Sequence, residues 1–223
     1  RHDMRTKLTA KQKIFPELSL VDPAYISEAG ADIIRSTSVD AMGHMIESFI
    51  NTKATEASRN YVRNGLKVWS RIRKFLVSSL PEEADSKARA LLDLVTASNY
   101  GGYSIVDPGT SLPHGMSYKL SYEKHVPQGM AIGIFEPGYM ALAEKGMRDE
   151  LLDLMGFCSL EEFSAFIKKT CTDPMFKNFL NAGEFNEIIS MSAESFLADQ
   201  NRLSKIPYDM NENALYRIID MIR

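Results

Sequence analysis

From Ala24 onward, apolar residues recur at intervals of three and four almost without interruption. That spacing gathers them on one face of a helix, whereas a half-buried strand alternates every second residue. The longest such run spans residues 56–77, with Tyr61, Val62, Leu66, Val68, Trp69, Ile72, Phe75 and Leu76 as its stripe. The pattern predicts further helices over residues 25–34, 84–100 (Ala88, Leu91, Leu92 and Val95 inward), 130–142 and 212–222. Thr37 or Ser38 can cap a helix that continues to Ile50. Ser111 can cap another, with Pro113 in its first turn, where a missing N–H does no harm. Pro137 is placed to kink or divide the 130–142 helix. Ser159-Leu-Glu-Glu162 is a capping-box pattern, Pro174 and Gly183 separate later helices, and Asn211 can cap the last one. Only residues 14–21, a short apolar run ending at Asp22-Pro23, suggest a strand. The expected fold is therefore all-α, a multi-helix body over residues 23–223 preceded by one short strand. Residues 1–22 read as the tail of something larger.

The whole chain bounds the function loosely. Its 223 residues suit one large domain or two small ones. A net charge of −3 gives no electrostatic case for nucleic acid or an anionic membrane. Cys158 and Cys171 form neither a CxxC pair nor a disulfide framework, and reduced cytoplasmic thiols are the simplest account. No apolar run approaches the length of a membrane span. The first residue is Arg1 rather than Met, which suggests a fragment or a processed product.

Chemistry concentrates in two stretches. In Asp40-Ala-Met-Gly-His44, an oxygen donor and an imidazole stand four residues apart, on one helix face. A divalent transition metal accepts such a pair. On spacing alone the ordinary readings come first: a surface Asp–His pair, or a core histidine bonded to a carboxylate. The second stretch runs from His114 to Gln128, with Tyr118 one turn after His114 and His125 in the following turn.

Taken together, these residues resemble the iron-containing alcohol dehydrogenase family. The likeness rests on Thr37-x-x-Asp40-Ala-x-x-His44-x-x-Glu47, then His114-Gly, then a Pro127-x-Gly129 turn. It is strengthened by Asp22-Pro23 at the domain boundary and by Ala131-Ile-Gly-Ile-Phe-Glu-Pro137. It covers residues 15–142 well and the last third loosely. The resemblance implies the helical C-terminal, metal-binding domain of a dehydroquinate synthase-like fold. A nucleotide-binding N-terminal domain would lie upstream, because no glycine-rich strand–loop–helix occurs here.

The resemblance implies hydride transfer between an alcohol or polyol and NAD or NADP, with Fe2+ or Zn2+ at the site. It implies a small-molecule alcohol or aldehyde substrate, a homodimer and a cytoplasmic enzyme. Carried over by position, the metal ligands are Asp40, His44, His114 and residue 128. Here residue 128 is Gln, where the family usually has His. Gln128 can ligate through its carbonyl oxygen, a water can complete the shell, His125 can swing in, or the metal can be lost. The last possibility defines an alternative, a non-catalytic helical module of the same fold. The dehydroquinate synthase and glycerol dehydrogenase branches fit less well, since both retain a His at position 128. Tyr118 stands where some members place a proton-relaying His, so it reads either as a relay or as a pocket-wall aromatic. Glu47 reads as a partner for His44 or Arg59, or as a solvent-facing residue.

Overall fold

The structure is a computed structural model that describes residues 14–171 and 183–221. Among these residues the only regular elements are helices. A 3-10 turn, Pro23–Ile26, precedes α1 (Ala31–Ile50), α2 (Glu56–Leu76), α3 (Ala84–Ser104) and α4 (Leu112–Lys124). Then come α5 (Gln128–Gly133), α6 (Glu136–Leu142), α7 (Lys145–Met155) and α8 (Leu160–Cys171). From residue 183 onward follow α9 (Gly183–Leu197), α10 (Gln200–Leu203) and α11 (Glu212–Asp220). Pro174 lies outside the described residues.

Helix α1 is the axis of the fold. Thirteen of its twenty residues are buried, so it cannot be a surface helix with one apolar stripe. It packs against α2, α3 and α5 together. Val39, Met42, Met45 and Ile46 are fully enclosed there. Helix α2 is the ordinary amphipathic case: Val62, Leu66, Trp69 and Ile72 are buried while Tyr61 is exposed. Its start is held by reciprocal Thr55–Ser58 capping bonds. Trp69 belongs to the core, and its indole N–H donates to the Ser38 carbonyl at 3.0 Å.

Several local expectations change. The strand predicted at 14–21 is not formed, and Ile14, Phe15, Leu18 and Leu20 are exposed. An extended segment without a neighbour leaves its N–H and C=O groups unpaired, so apolar content alone makes no strand. The 25–34 helix is divided, because the 3-10 turn ends at Ile26 and Gly30 is the N-cap of α1. Thr37 and Ser38 are inside α1, not at its start: their hydroxyls donate to the carbonyls of Ile33 (2.8 Å) and Ile34 (2.6 Å). Back-bonding of this kind lets both residues sit within a helix.

Helix α3 runs through Gly101-Gly102 to Ser104, because Gly101 is a contact point. A Cβ there would lie 3.0 Å from the Ala41 carbonyl oxygen on α1. Its inward face is Ala90, Leu91, Leu94 and Ala97, with Ala88 and Leu92 exposed. The 130–142 helix is divided into α5 and α6, with Pro137 in the first turn of α6. Asn211 accepts from Ala214 N–H at 3.0 Å at the start of α11.

The crossing of α1 and α5 is very tight. A Cβ on Gly129 would fall 1.7 Å from the Ser36 carbonyl oxygen, an impossible separation. Gly129 N–H also donates to the Ser36 hydroxyl at 3.2 Å. Ser36 is one turn before Asp40, so this contact brings the start of α5, and Gln128 with it, beside the Asp40 face of α1.

Candidate metal centre

Asp40 and His44 lie one turn apart on α1, and His114 lies in the first turn of α4. One donor atom from each comes within 4.8 Å of the others. Asp40 Oδ1 is 3.6 Å from His114 Nε2, and Asp40 Oδ2 is 3.9 Å from His44 Nδ1. The two imidazoles are stacked, with centroids 4.6 Å apart and planes inclined by 19°. Helical spacing alone brings Asp40 to His44, while the packing of α4 on α1 supplies His114 from seventy residues further along the chain.

Glu47 completes the arrangement, in a role different from the one its position suggested. It is fully buried, and neither His44 nor Arg59 is its partner in these bonds. One oxygen is in close contact with His114 Nδ1. The other accepts the Ser111 N–H at 2.5 Å, at the start of α4. A carboxylate on Nδ1 fixes the ring so that Nε2 faces Asp40. The sequence held a signal for this: Asp40, His44 and Glu47 follow i, i+4, i+7 spacing and share one stripe of α1.

Electrostatics agree with a site built for positive charge. Burial disfavours a charged His114, but the carboxylates of Glu47 and Asp40 outweigh it, and its pKa is raised to about 9. Without a metal, the carboxylates therefore hold a protonated imidazole. Glu136 lies deeper, beside Glu47 and against Gly43. Burial, reinforced by the Glu47 charge, pushes its carboxyl well above the usual range, so it stands neutral. Neither of its oxygens makes a hydrogen bond of ordinary geometry.

The remaining candidates fall at different distances from this cluster. Gln128 opens α5, and its amide Nε2 donates to the Ser117 hydroxyl at 2.8 Å. Ser117 donates in turn to the His114 carbonyl, also at 2.8 Å. Tyr118 is partly buried, with the Arg202 guanidinium 5.7 Å from its ring centroid. Burial, then the Glu47 charge, raises its phenol pKa, and Arg202 opposes them. His125 is exposed in a left-handed conformation (φ 55°) at the end of α4 and is not among the converging donors. Ser117 carried no motif, and Glu136 stood within the Ala131–Pro137 likeness with no site role attached to it.

The donor set suits a divalent transition metal: one carboxylate, two imidazoles that bind through neutral nitrogens, and a carboxylate orienting one ring. Comparison with known proteins gives the family and the fold. Residues 34–181 match the model of the Fe-containing alcohol dehydrogenase family, C-terminal. An alcohol dehydrogenase of Thermococcus barophilus is 25% identical over 204 residues, covering 88% of this chain and 49% of that protein. A 1-propanol dehydrogenase of Salmonella typhimurium is 21% identical, covering 93% of this chain and 59% of that protein. The crystal structure of sulfoacetaldehyde reductase from Bifidobacterium kashiwanohense, solved with NAD+, superposes with a TM-score of 0.74 at 18% identity. It covers 93% of this chain and 55% of that one, so the likeness speaks for the fold. The chain thus spans about half the length of the relatives it matches. It belongs to the iron-containing alcohol dehydrogenase family and carries that family's helical C-terminal domain.

Proposed function

We propose that the complete protein is a metal-dependent, NAD(P)-linked alcohol dehydrogenase acting on a small alcohol, polyol or aldehyde. The observation that carries this reading is the convergence of Asp40, His44 and His114, with Glu47 holding His114 from behind. Asp40, His44, His114 and Gln128 would hold Fe2+ or Zn2+. The chemistry supplied by the bound groups is Lewis acidity at an alcohol or aldehyde oxygen and a nicotinamide that accepts or returns hydride.

The chain's own residues prepare that site. Asp40 contributes negative charge and the two histidines neutral nitrogens. Glu47 keeps the proton on Nδ1 of His114 and so directs Nε2 toward Asp40. Tyr118 acts as a hydrogen-bond donor toward substrate, since its raised pKa unfits it as a base at neutral pH. The nucleotide-binding domain would precede residue 23 and cover the exposed apolar side chains of residues 14–21. A homodimer and a cytoplasmic location belong to the same proposal. Among the described residues no helix is long and apolar enough to cross a membrane.

The test uses full-length protein, stripped of metal and reconstituted with Fe2+ or Zn2+. Stoichiometric metal and NAD(P)H-linked turnover of alcohols are expected; absence of both overturns the reading. The competing reading, a non-catalytic module, rests on Gln128. If the wild type is inert and Gln128→His changes neither metal content nor turnover, that module is favoured.

A further inference from the structure

We propose that Ser117 is the positioning residue that makes Gln128 an oxygen donor. The inference rests on the metal-site reading above and concerns how a site with glutamine in place of histidine can still hold a cation. A glutamine side chain ends in two atoms of opposite character. Its carbonyl oxygen attracts a cation, and its NH2 group repels one. Which of them faces the site depends on the partner that takes the other.

The partner is Ser117, on α4 one turn after His114 and fully buried. A hydroxyl has a single hydrogen to donate. Ser117 uses it on the His114 carbonyl at 2.8 Å, so toward Gln128 it presents a lone pair. That lone pair selects the amide nitrogen, which donates at 2.8 Å. The carbonyl oxygen is the end left over for the site. The Gly129 N–H, which donates to the Ser36 hydroxyl at 3.2 Å, ties the start of α5 to α1. The chain His114 C=O, Ser117 hydroxyl, Gln128 amide thus links a proposed ligand on α4 to one on α5. Removing the hydroxyl frees the amide to turn over and leaves its nitrogen without this partner.

The experiment uses metal-free full-length protein titrated with Co2+, followed by its visible absorption and by calorimetry. Four forms are compared: wild type, Ser117→Ala, Gln128→Ala and the double variant, each checked by circular dichroism and thermal melting. Ser117→Ala is expected to weaken Co2+ binding by about 10- to 100-fold, the usual cost of losing a residue that orients a ligand. The Co2+ spectrum should shift with it. In the Gln128→Ala background the same substitution should have no further effect, because there is no amide left to orient. A structural role for Ser117 would persist in both backgrounds, and that outcome overturns the proposal. Wild-type-like Co2+ binding by Ser117→Ala overturns it as well, while leaving the metal-site reading intact. Failure of the wild type itself to bind Co2+ overturns both.

Discussion

The carboxylate of Glu47 on α1 and the Nδ1 of His114 on α4 are in contact across 67 residues of chain. Both are almost wholly buried, and the second Glu47 oxygen takes the Ser111 N–H at the start of the same helix. One side chain therefore orients the histidine and anchors the helix that carries it.

Removing Glu47 should accordingly do two things at once. Glu47→Ala leaves the Ser111 N–H and the His114 Nδ1–H unsatisfied in the interior, at about 1–3 kcal/mol for each such group. It should also weaken metal binding by roughly 10- to 100-fold. Thermal melting and Co2+ titration of the full-length protein read the two effects separately. Unchanged Co2+ affinity would mean that Glu47 does not orient His114.

The raised pKa of His114 makes a statement about pH. Its pKa is about 9 in the metal-free folded protein, against 6.5 ordinarily, so the folded state holds that proton more tightly than the unfolded one. The stabilisation is complete below about 6.5 and is lost as pH rises through about 9. Melting of metal-free protein should fall over that window, and His114→Gln should flatten the fall. A binding metal must also displace this proton, so Co2+ affinity should rise with pH across the same range.

Glu136 should show the opposite balance of gain and loss on substitution. Its folded carboxyl resists ionisation, so its contribution to stability is lost as pH rises above the ordinary carboxyl value of 4.5. Glu136→Gln keeps the shape and cannot ionise. The variant should melt higher than wild type at pH 8, and the difference should shrink toward pH 4. A lower melting temperature at pH 8 would show that the Glu136 carboxyl is needed as an anion.

The α1–α5 crossing can be tested sterically. Gly129→Ala places a Cβ against the Ser36 carbonyl, where only backbone movement can make room. A cost of at least about 1–3 kcal/mol is expected, with weaker metal binding as Gln128 moves away. Gly146→Ala, which has open space, serves as the control. Equal melting temperatures for the two variants would contradict the close crossing.

Tyr118 and His125 separate by the same kind of test. Tyr118→Phe should lower turnover without changing the shape of the pH–rate profile below pH 9, since the phenol stays protonated there. His125→Gly should leave Co2+ affinity unchanged and raise stability by about 1 kcal/mol, because glycine adopts the positive φ of that helix end without strain. A loss of Co2+ binding in His125→Gly would make His125 a ligand.

Local spacing determined much of this protein. Apolar periodicity specified the helices, Thr55 and Asn211 acted as caps, and Asp40-xxx-His44 required only one helix to bring its two donors together. His114 could be named from its motif, but its meeting with Asp40 depended on how α4 packs. Three things were decided only by tertiary structure. Glu47 became the partner of His114, Ser117 became the partner of Gln128, and Glu136 became a buried neutral acid. Each depends on which helix faces which, and a short window of sequence carries no record of that. The same holds for residues 14–21, whose apolar content resembles a strand but which find no neighbouring strand among the described residues. Helical order follows from contacts three and four residues apart, whereas the burial and charge that define the site come from contacts tens of residues away.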